Sequence, residues 1–369
     1  MLNIGKNTKK SMDLSINKIK KTTFMKVDFD DLLIKPVATT TINSRAEVNP
    51  FDENGMLPII TAPMDTVIGS ENANLFYESK INVCLPRGEK RTHSMMFESY
   101  SLAQFKKEFY DKNGIDNADS LPVYVLIDTA NGHIQELVDV VKFSKEFYGE
   151  KIKLMVGNIA NPMTYKILSD VGADYIRVGI GNGQGCLTTQ QLGVGYPMAS
   201  LIEECYNVSL GLDNPAKIVA DGGMKKYSDI IKALALGADY VMLGGVLNKC
   251  LESCGDNYFQ VDPNQPASKV KITKKEAYER YSENKSVLKL FRGMSTKEVQ
   301  KKWGNEKLKT SEGVVRYREV EYTLSQWVDN FESYLRSAMS YCDARNLSDF
   351  TDQSEIIYIT NNAFNRFNK

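Results

Sequence analysis

Residues 177–189 read Arg-Val-Gly-Ile-Gly-Asn-Gly-Gln-Gly-Cys-Leu-Thr-Thr. Glycines at 179, 181, 183 and 185 let a backbone approach a ligand or ion closely and turn its amides and carbonyls toward it. A cysteine closing such a loop, Cys186, is placed like a nucleophile, near amides that favour the thiolate and followed by the hydroxyls of Thr188 and Thr189. The competing reading of any cysteine is a small buried hydrophobe, which suits Cys84, Cys205 and Cys342. A core cysteine would not need the glycine loop, so Cys186 is the one expected to react. Cys250 and Cys254 have a metal-like spacing, but no second pair or histidine accompanies them, and they read as structural.

Two glycine pairs, Gly222-Gly223 and Gly244-Gly245, follow apolar runs at 218–221 and 240–243. Each is a weak signal; together, at the ends of consecutive strands, they suggest amides cradling a phosphate dianion. Gly293-Met294-Ser295 can add phosphate or base contacts. Asp221 can bridge ribose hydroxyls or, equally, cap the helix that follows. Glu312, in Thr310-Ser311-Glu312-Gly313, can relay a proton with Thr188 or simply be solvated surface.

These groups need a scaffold that gathers strand ends. Short aliphatic runs occur at 57–61, 123–128, 152–156, 175–178, 218–221 and 240–243. Helical patterns separate most of them, such as 134–147, with Leu137, Val138, Val141 and Phe143 on a broad apolar side, and 227–236. Continuous apolar strands alternating with amphipathic helices imply parallel strands buried on both faces. Polar groups and glycines collect after many strands (Asp128, Gly157-Asn158, Gly179 to Gly181, Asp221 to Gly223, Gly244-Gly245) rather than at one switch point. That distribution favours a closed TIM (β/α)₈ barrel over a doubly wound sheet. The barrel is expected over residues 25–347, with a polar, Lys-rich excursion at 256–290 that is either a lid-like element or a passive insertion. Residues 324–341 read as helix, 1–24 as a basic extension and 348–369 as a polar, Asn-rich tail.

Composition narrows the classes. With 46 basic against 46 acidic residues in 369 there is no cationic field for coating nucleic acid. No run approaches the roughly 18 apolar residues of a membrane helix, and the lysine-rich start lacks the apolar core of a secretory leader. Six sparse cysteines point to a reducing cytoplasm rather than a disulfide scaffold. Two histidines, His93 and His133, leave little material for a multi-histidine metal centre.

The motifs resemble, in order, those of the IMP dehydrogenase/GMP reductase family. Residues 179–189 are similar to its Gly-Ile-Gly-Pro-Gly-Ser-x-Cys-Thr-Thr-Arg, aligned without gaps, and the likeness extends through 28–36, 44–48, Pro63-Met64-Asp65-Thr66-Val67, 128–132, Gly157-Asn158, 221–223, 293–295 and 336–341. It covers about residues 25–347, Met25 resembling the family's usual start. The resemblance implies that the cysteine attacks C2 of a purine nucleotide. One branch then passes hydride from IMP to NAD and hydrolyses the adduct; the other expels ammonia from GMP and takes hydride from NADPH to give IMP. Tyr196 in Gly193-Val194-Gly195-Tyr196-Pro197, Met242-Leu243-Gly244-Gly245 with Glu252-Ser253 after it, and Lys301-Lys302-Trp303 lean toward the reductase branch. So does the lack of an evident base for hydrolysis before Ser311 and of the regulatory insert that many dehydrogenases carry. A dehydrogenase without that insert, and a non-catalytic purine-nucleotide-binding homologue, are the alternatives.

Carried over by position, the resemblance makes Cys186 the nucleophile, with Thr188 and Glu312 shuttling the proton to the departing ammonia. Gly183, Gln184, Asp221, Gly222, Gly223, Gly244, Gly245, Gly293, Met294, Ser295, Ser311 and Gly313 would hold the nucleotide. Asp128, Asn131, Asn158, Gly181 and Arg87 would lie on the nicotinamide side, with Ser44 and Arg45 reaching the rest of NADPH. Arg45 can pair with a 2′-phosphate or form an ordinary surface salt bridge. Carbonyls of Gly181, Gly183 and Cys186 resemble the family's K+ site, and a homotetramer is implied. Several positions depart from the pattern: Asn182 for proline, Gln184 for serine, Leu187 for threonine, Thr189 for arginine, and Pro86-Arg87 for the usual His-Lys. A modified purine nucleotide is therefore a further substrate candidate.

Overall fold

The computed structural model describes residues 25–110, 122–262, 264–265, 268–294, 296–302 and 314–367; the basic segment 1–24 lies outside them. After β1 (Leu32–Lys35) come β2 (Leu57–Thr61), α1 (Ala73–Glu78), β3 (Ile81–Asn82), β4 (Cys84–Leu85), β5 (Phe97–Tyr100) and α2 (Leu102–Phe105). The alternation then becomes regular. β6 (Val123–Asp128) leads to α3 (Gln135–Tyr148), β7 (Ile152–Ile159) to α4 (Pro162–Asp170), and β8 (Tyr175–Val178) to the short α5 (Thr188–Leu192) and α6 (Met198–Ser209). β9 (Lys217–Asp221) leads to α7 (Tyr227–Ala235), and β10 (Tyr240–Leu243) to the short α8 (Gly245–Asn248). Neighbouring strands are all parallel, in the order β3-β2-β10-β9-β8-β7-β6-β5-β4. Only Val83 separates β3 from β4, so the two ends of that order are one stave and the ring closes on eight. This is the TIM (β/α)₈ barrel that the alternation of strands and helices implies.

The two-residue period of a strand sorts each stave into an inward and an outward set. Ile59, Val125, Leu154, Ile176, Ile218 and Val241 face out and pack under the helices. Ile60, Leu126, Met155, Val219 and Met242 face in and fill the barrel. Tyr124, Tyr175 and Phe97 close its amino-terminal end through edge-to-face ring pairs at 5.1 and 5.2 Å. Two residues further along, at the carboxyl ends, the inward positions are Asp128, Arg177 and Asp221. The same alternation that builds a dry interior thus delivers three charged side chains to the mouth.

The expected helices form with small shifts. α3 starts after Ile134, which is its N-cap, and α7 ends before Leu236. Phe143 does not belong to the buried side of α3: it is 42% exposed and stacks on Phe147 at 5.7 Å, while Leu137, Val140, Val141 and Ser144 make the buried stripe. Position 143 is two residues beyond Val141, about 200° around the helix axis, which is why the core does not reach it.

The excursion at 256–290 is folded rather than loose, and it continues to residue 319. β11 (Asn257–Gln260), β12 (Lys269–Ile272), α9 (Lys274–Ser282), β13 (Leu288–Arg292), α10 (Lys297–Lys302) and β14 (Val315–Glu319) include an antiparallel sheet ordered β12-β11-β13-β14. Leu251, Ala277, Val287 and Val320 form its own small core. β13 and β14 make a ladder over the mouth, anchored by Arg292 to Asp65 at 2.5 Å.

α11 (Leu324–Tyr341) opens on a reciprocal cap between Thr323 and Gln326 and buries Leu324, Trp327, Val328, Phe331, Leu335 and Met339 on one stripe. The segment from 348 onward is tied into the fold. α12 (Leu347–Gln353) buries Phe350 completely, β15 (Glu355–Tyr358) pairs antiparallel with β1, and α13 (Asn361–Phe367) follows. Phe350→Ala is expected to cost about 3–5 kcal/mol, as for other fully buried phenylalanines, read from chemical denaturation. A loss under about 1 kcal/mol would mean that this helix does not dock. Among the described residues no helix is long and apolar enough to cross a membrane.

Candidate active site

A cavity of about 320 Å³ opens at the carboxyl ends of the staves, lined by Met64, Asp128, Asn158, Arg177, the loop from Gly179 to Cys186, Thr188, Asp221 to Met224, Gly244, Gly245, Phe291, Gly293 and Met294. A larger one, about 380 Å³, lies at the opposite end beside Asp52, Lys217 and Asp239 and contains none of the glycine loops. The chemistry belongs to the first, because only there do a thiol, backbone amides and charged strand ends converge.

Cys186 sits between β8 and α5. Its amide donates to Gly183 O at 2.9 Å, closing a tight turn, and its half-buried Sγ lies 3.1 Å from the Thr188 hydroxyl. The loop is pinned from several sides. Asn182 Nδ2 donates to Tyr196 O at 3.1 Å, and Val314 N donates to Gly185 O at 3.3 Å from the base of β14. Gly222, at φ +90°, passes so close that a Cβ there would stand 2.9 Å from Gly183 N, so only glycine fits. The other thiols are in different surroundings. Burial pushes Cys84, Cys205 and Cys254 up to about 12 and raises Cys250 and Cys342, which keeps them protonated and inert.

The floor of the mouth is an ion-pair chain. Arg177, only 7% exposed, donates from Nη1 to Asp128 Oδ1 at 2.8 Å and from Nη2 to Asp221 Oδ2 at 2.7 Å. Arg87 Nη2 reaches Asp128 Oδ2 at 2.8 Å, and Asn158 Nδ2 donates to Asp221 Oδ2 at 2.7 Å and to Gly179 O at 2.8 Å. Asp221 is therefore held across the barrel; α7 is capped by Lys226 and Asp229 instead. Burial opposes ionisation of Asp128, but the Arg177 and Arg87 guanidiniums override it and hold the carboxyl below the usual range. A carboxyl held down in the fold contributes stability that is present above the unfolded value near pH 4 and lost as pH falls through the lower folded value. Arg87→Gln is accordingly expected to cost about 1–2 kcal/mol at pH 7 and progressively less below about pH 4. A pH-independent difference between the two proteins would show that Arg87 does not act through this carboxylate.

Of the residues singled out in the sequence, Cys186, Thr188, Gly183, Gln184, Asp221, Gly222, Gly223, Gly244, Gly245, Gly293, Met294, Arg87, Asp128, Asn158 and Gly181 meet around this one cavity. Ser295, Ser311, Glu312 and Gly313 lie outside the described residues. Three do not line the cavity. Asn131 makes a local turn, its Oδ1 accepting from His133 N at 3.1 Å. Ser44 caps the short turn at 45–47. Arg45 lies exposed beside α11, its Nη1 donating to Ser333 Oγ at 2.9 Å, with no carboxylate partner among the described residues. Of the loop carbonyls considered for K+, that of Gly183 already accepts the Cys186 amide, leaving it one further lone pair. Thr189, where the related loop has arginine, turns its hydroxyl to Val194 O at 2.9 Å and Ile180 O at 3.3 Å. Two residues at the mouth had no signal in the sequence reading: Arg177, the centre of the ion-pair chain, and Arg318, which reaches Gln184 and Gly245 from β14. Arg177 was legible as an inward position only once the register of β8 was known.

A parallel barrel presenting a thiol on a glycine loop, packed against two glycine pairs at the carboxyl ends of its strands, is a (β/α)₈ enzyme scaffold with a mouth suited to an anionic ligand. Residues 116–367 match the family described as IMP dehydrogenase / GMP reductase domain. The chain is 30% identical to GMP reductase 2 of Bos taurus over 91% of its own length and 95% of the relative's, and 30% identical to GMP reductase 2 of Homo sapiens over the same shares. It is 28% identical to GMP reductase of Buchnera aphidicola subsp. Schizaphis graminum, over 93% and 98%. The chain belongs to the IMP dehydrogenase/GMP reductase family.

Proposed function

We propose that this protein is an oxidoreductase of purine nucleotides that converts GMP to IMP and ammonia at the expense of NADPH. The observation that carries this reading is the Cys186 thiol, half-buried in the cavity and 3.1 Å from the Thr188 hydroxyl, on a loop held against Gly222. The names of the relatives support the direction of the reaction.

In the proposed reaction the Cys186 sulfur forms a bond to C2 of the purine, and the C2–N bond to the exocyclic amine breaks. The amine leaves as ammonia, taking a proton relayed through Thr188 and Glu312. Asp128, Asn158 and Gly181 would hold reduced nicotinamide, which would supply a hydride to C2 in place of the lost amine, the C2–S bond breaking to return the Cys186 sulfur. Gly222, Gly223, Gly244, Gly245, Gly293, Met294, Ser295, Ser311 and Gly313 would hold the nucleotide. The ion-pair chain through Arg177 holds Asp128 and Asp221 in place, so that Asp221 can receive the ribose hydroxyls without reorganising. Arg45 lies outside the cavity, and its assignment to a 2′-phosphate, and hence to NADPH over NADH, rests on the family resemblance alone. K+ on the carbonyls of Gly181, Gly183 and Cys186, a homotetramer and a cytoplasmic location complete the proposal.

Purified protein given GMP and NADPH should consume reduced-nicotinamide absorbance and release ammonia and IMP in equal amounts. Replacing K+ by a larger organic cation should slow it, NADH should serve poorly, and light scattering should give four times 41.5 kDa. No turnover with GMP, with IMP plus NAD reacting instead, would reverse the direction assigned here.

A further inference from the structure

The mouth of the barrel holds a guanidinium with no carboxylate partner among the described residues. Arg318, on β14, is half-buried; its Nη1 donates to Gly245 O at 2.9 Å, its Nη2 donates to Gln184 Oε1, and its guanidinium lies 4.2 Å from the centre of the Phe291 ring. Among the described residues this partly desolvated cation hydrogen-bonds only neutral acceptors and lies over one aromatic face, with Glu321 acting on it without a direct contact, so it is incompletely compensated. Burial, with the nearby Arg316 charge, pushes it below its ordinary value.

A second observation fixes where these groups meet. A Cβ on Gly245 would stand 2.6 Å from Arg318 Nη1 and 2.7 Å from Gln184 Oε1, so the turn after β10 and the cysteine loop, both of which line the cavity, meet Arg318 of β14 immediately behind its wall. Because Gln184 spends its oxygen on Arg318, its Nε2 has no acceptor among the described residues and is left as a donor. A serine at 184, as in the related loop, is too short to reach across in this way.

We infer that Arg318, positioned by Gln184 and Phe291, is the cationic receptor for the 5′-phosphate of the bound nucleotide. This rests on the reading of the cavity as a purine mononucleotide site. A phosphate monoester dianion supplies the missing countercharge, and a planar guanidinium gives it directional, charge-assisted hydrogen bonds alongside the Gln184 amide. Phosphate recognition here would thus be carried by a strand of the folded excursion, which makes that excursion part of the binding site.

Calorimetric titration of the full chain with GMP and with guanosine tests this. Arg318→Ala should lower GMP affinity by about 10- to 100-fold while leaving guanosine affinity unchanged, which also reports that the barrel is intact. Arg318→Lys should fall between, Gln184→Ser should lose less in the same direction, and the KM for NADPH should not move, separating the substrate phosphate from those of the cofactor. Unchanged GMP affinity in Arg318→Ala, or an equal loss for both ligands, overturns the assignment. If neither purine binds the unmodified protein, the nucleotide reading itself fails. Inorganic phosphate then decides: a rise in Tm that Arg318→Ala removes supports an anion receptor, and no rise, or the same rise in both proteins, refutes it.

Discussion

Cys186→Ala should leave the protein folded and reduce turnover of GMP by at least about 1,000-fold, the scale seen when a covalent nucleophile is removed. Deleting one half-buried sulfur opens little space, and the neighbouring backbone is held independently by Asn182, Val314 and Gly222. Stability should therefore change by less than about 1 kcal/mol. Intact mass spectrometry adds a second readout: the unmodified protein trapped with nucleotide should gain the mass of a purine adduct, and the variant should not. Cys84→Ala is the matched control, since that thiol is buried inside the barrel and pushed up to about 12. It should affect stability rather than the adduct. Near-normal turnover in Cys186→Ala would remove the covalent route altogether.

The second large effect is expected at Arg177. Its guanidinium bonds Asp128 at 2.8 Å and Asp221 at 2.7 Å from inside the barrel. Arg177→Met keeps much of the side-chain volume but strands two carboxylates in a poorly solvated space, and losing one partner of a buried ion pair typically costs about 3–5 kcal/mol. The deficit should shrink on acidification, because protonating the stranded carboxyls relieves them. Activity should fall with stability even where the variant remains folded, since Asp128 and Asp221 both line the cavity. Arg177→Lys separates charge from geometry: it restores a cation but cannot bridge two carboxylates with one planar fork. A denaturation midpoint within a degree or two of the unmodified protein for Arg177→Met would show that the chain of ion pairs is dispensable.

Much of this molecule was legible from residue order. The staves announce themselves because a strand buried on both faces must be apolar throughout, and the helices because one face must be. Cys186 stood out because four glycines precede it, a local feature that needs no partner to be noticed. The helix at 324–341 was equally plain, because a helical pattern is local, while its Thr323–Gln326 cap emerges only in the structure.

What residue order could not decide is every feature that depends on two distant segments meeting. Phe143 looks like a core residue until the rotation of α3 against the barrel is set. The polar stretch after 348 looks like a tail until β15 finds β1 and Phe350 finds its pocket. Arg45, within a family-like motif, lies outside the cavity beside Ser333. Arg177, at the head of the glycine loop, and Arg318 carry no local sign of their roles; one acquires meaning from the inward register of β8, the other from the pairing of β14 with β13. Periodicity and glycine spacing are written along the chain because local backbone sterics and one-sided burial act on neighbours. Charge pairing across a barrel is not, because the energy of an ion pair is set by a distance and a degree of burial that exist only once the chain has closed on itself.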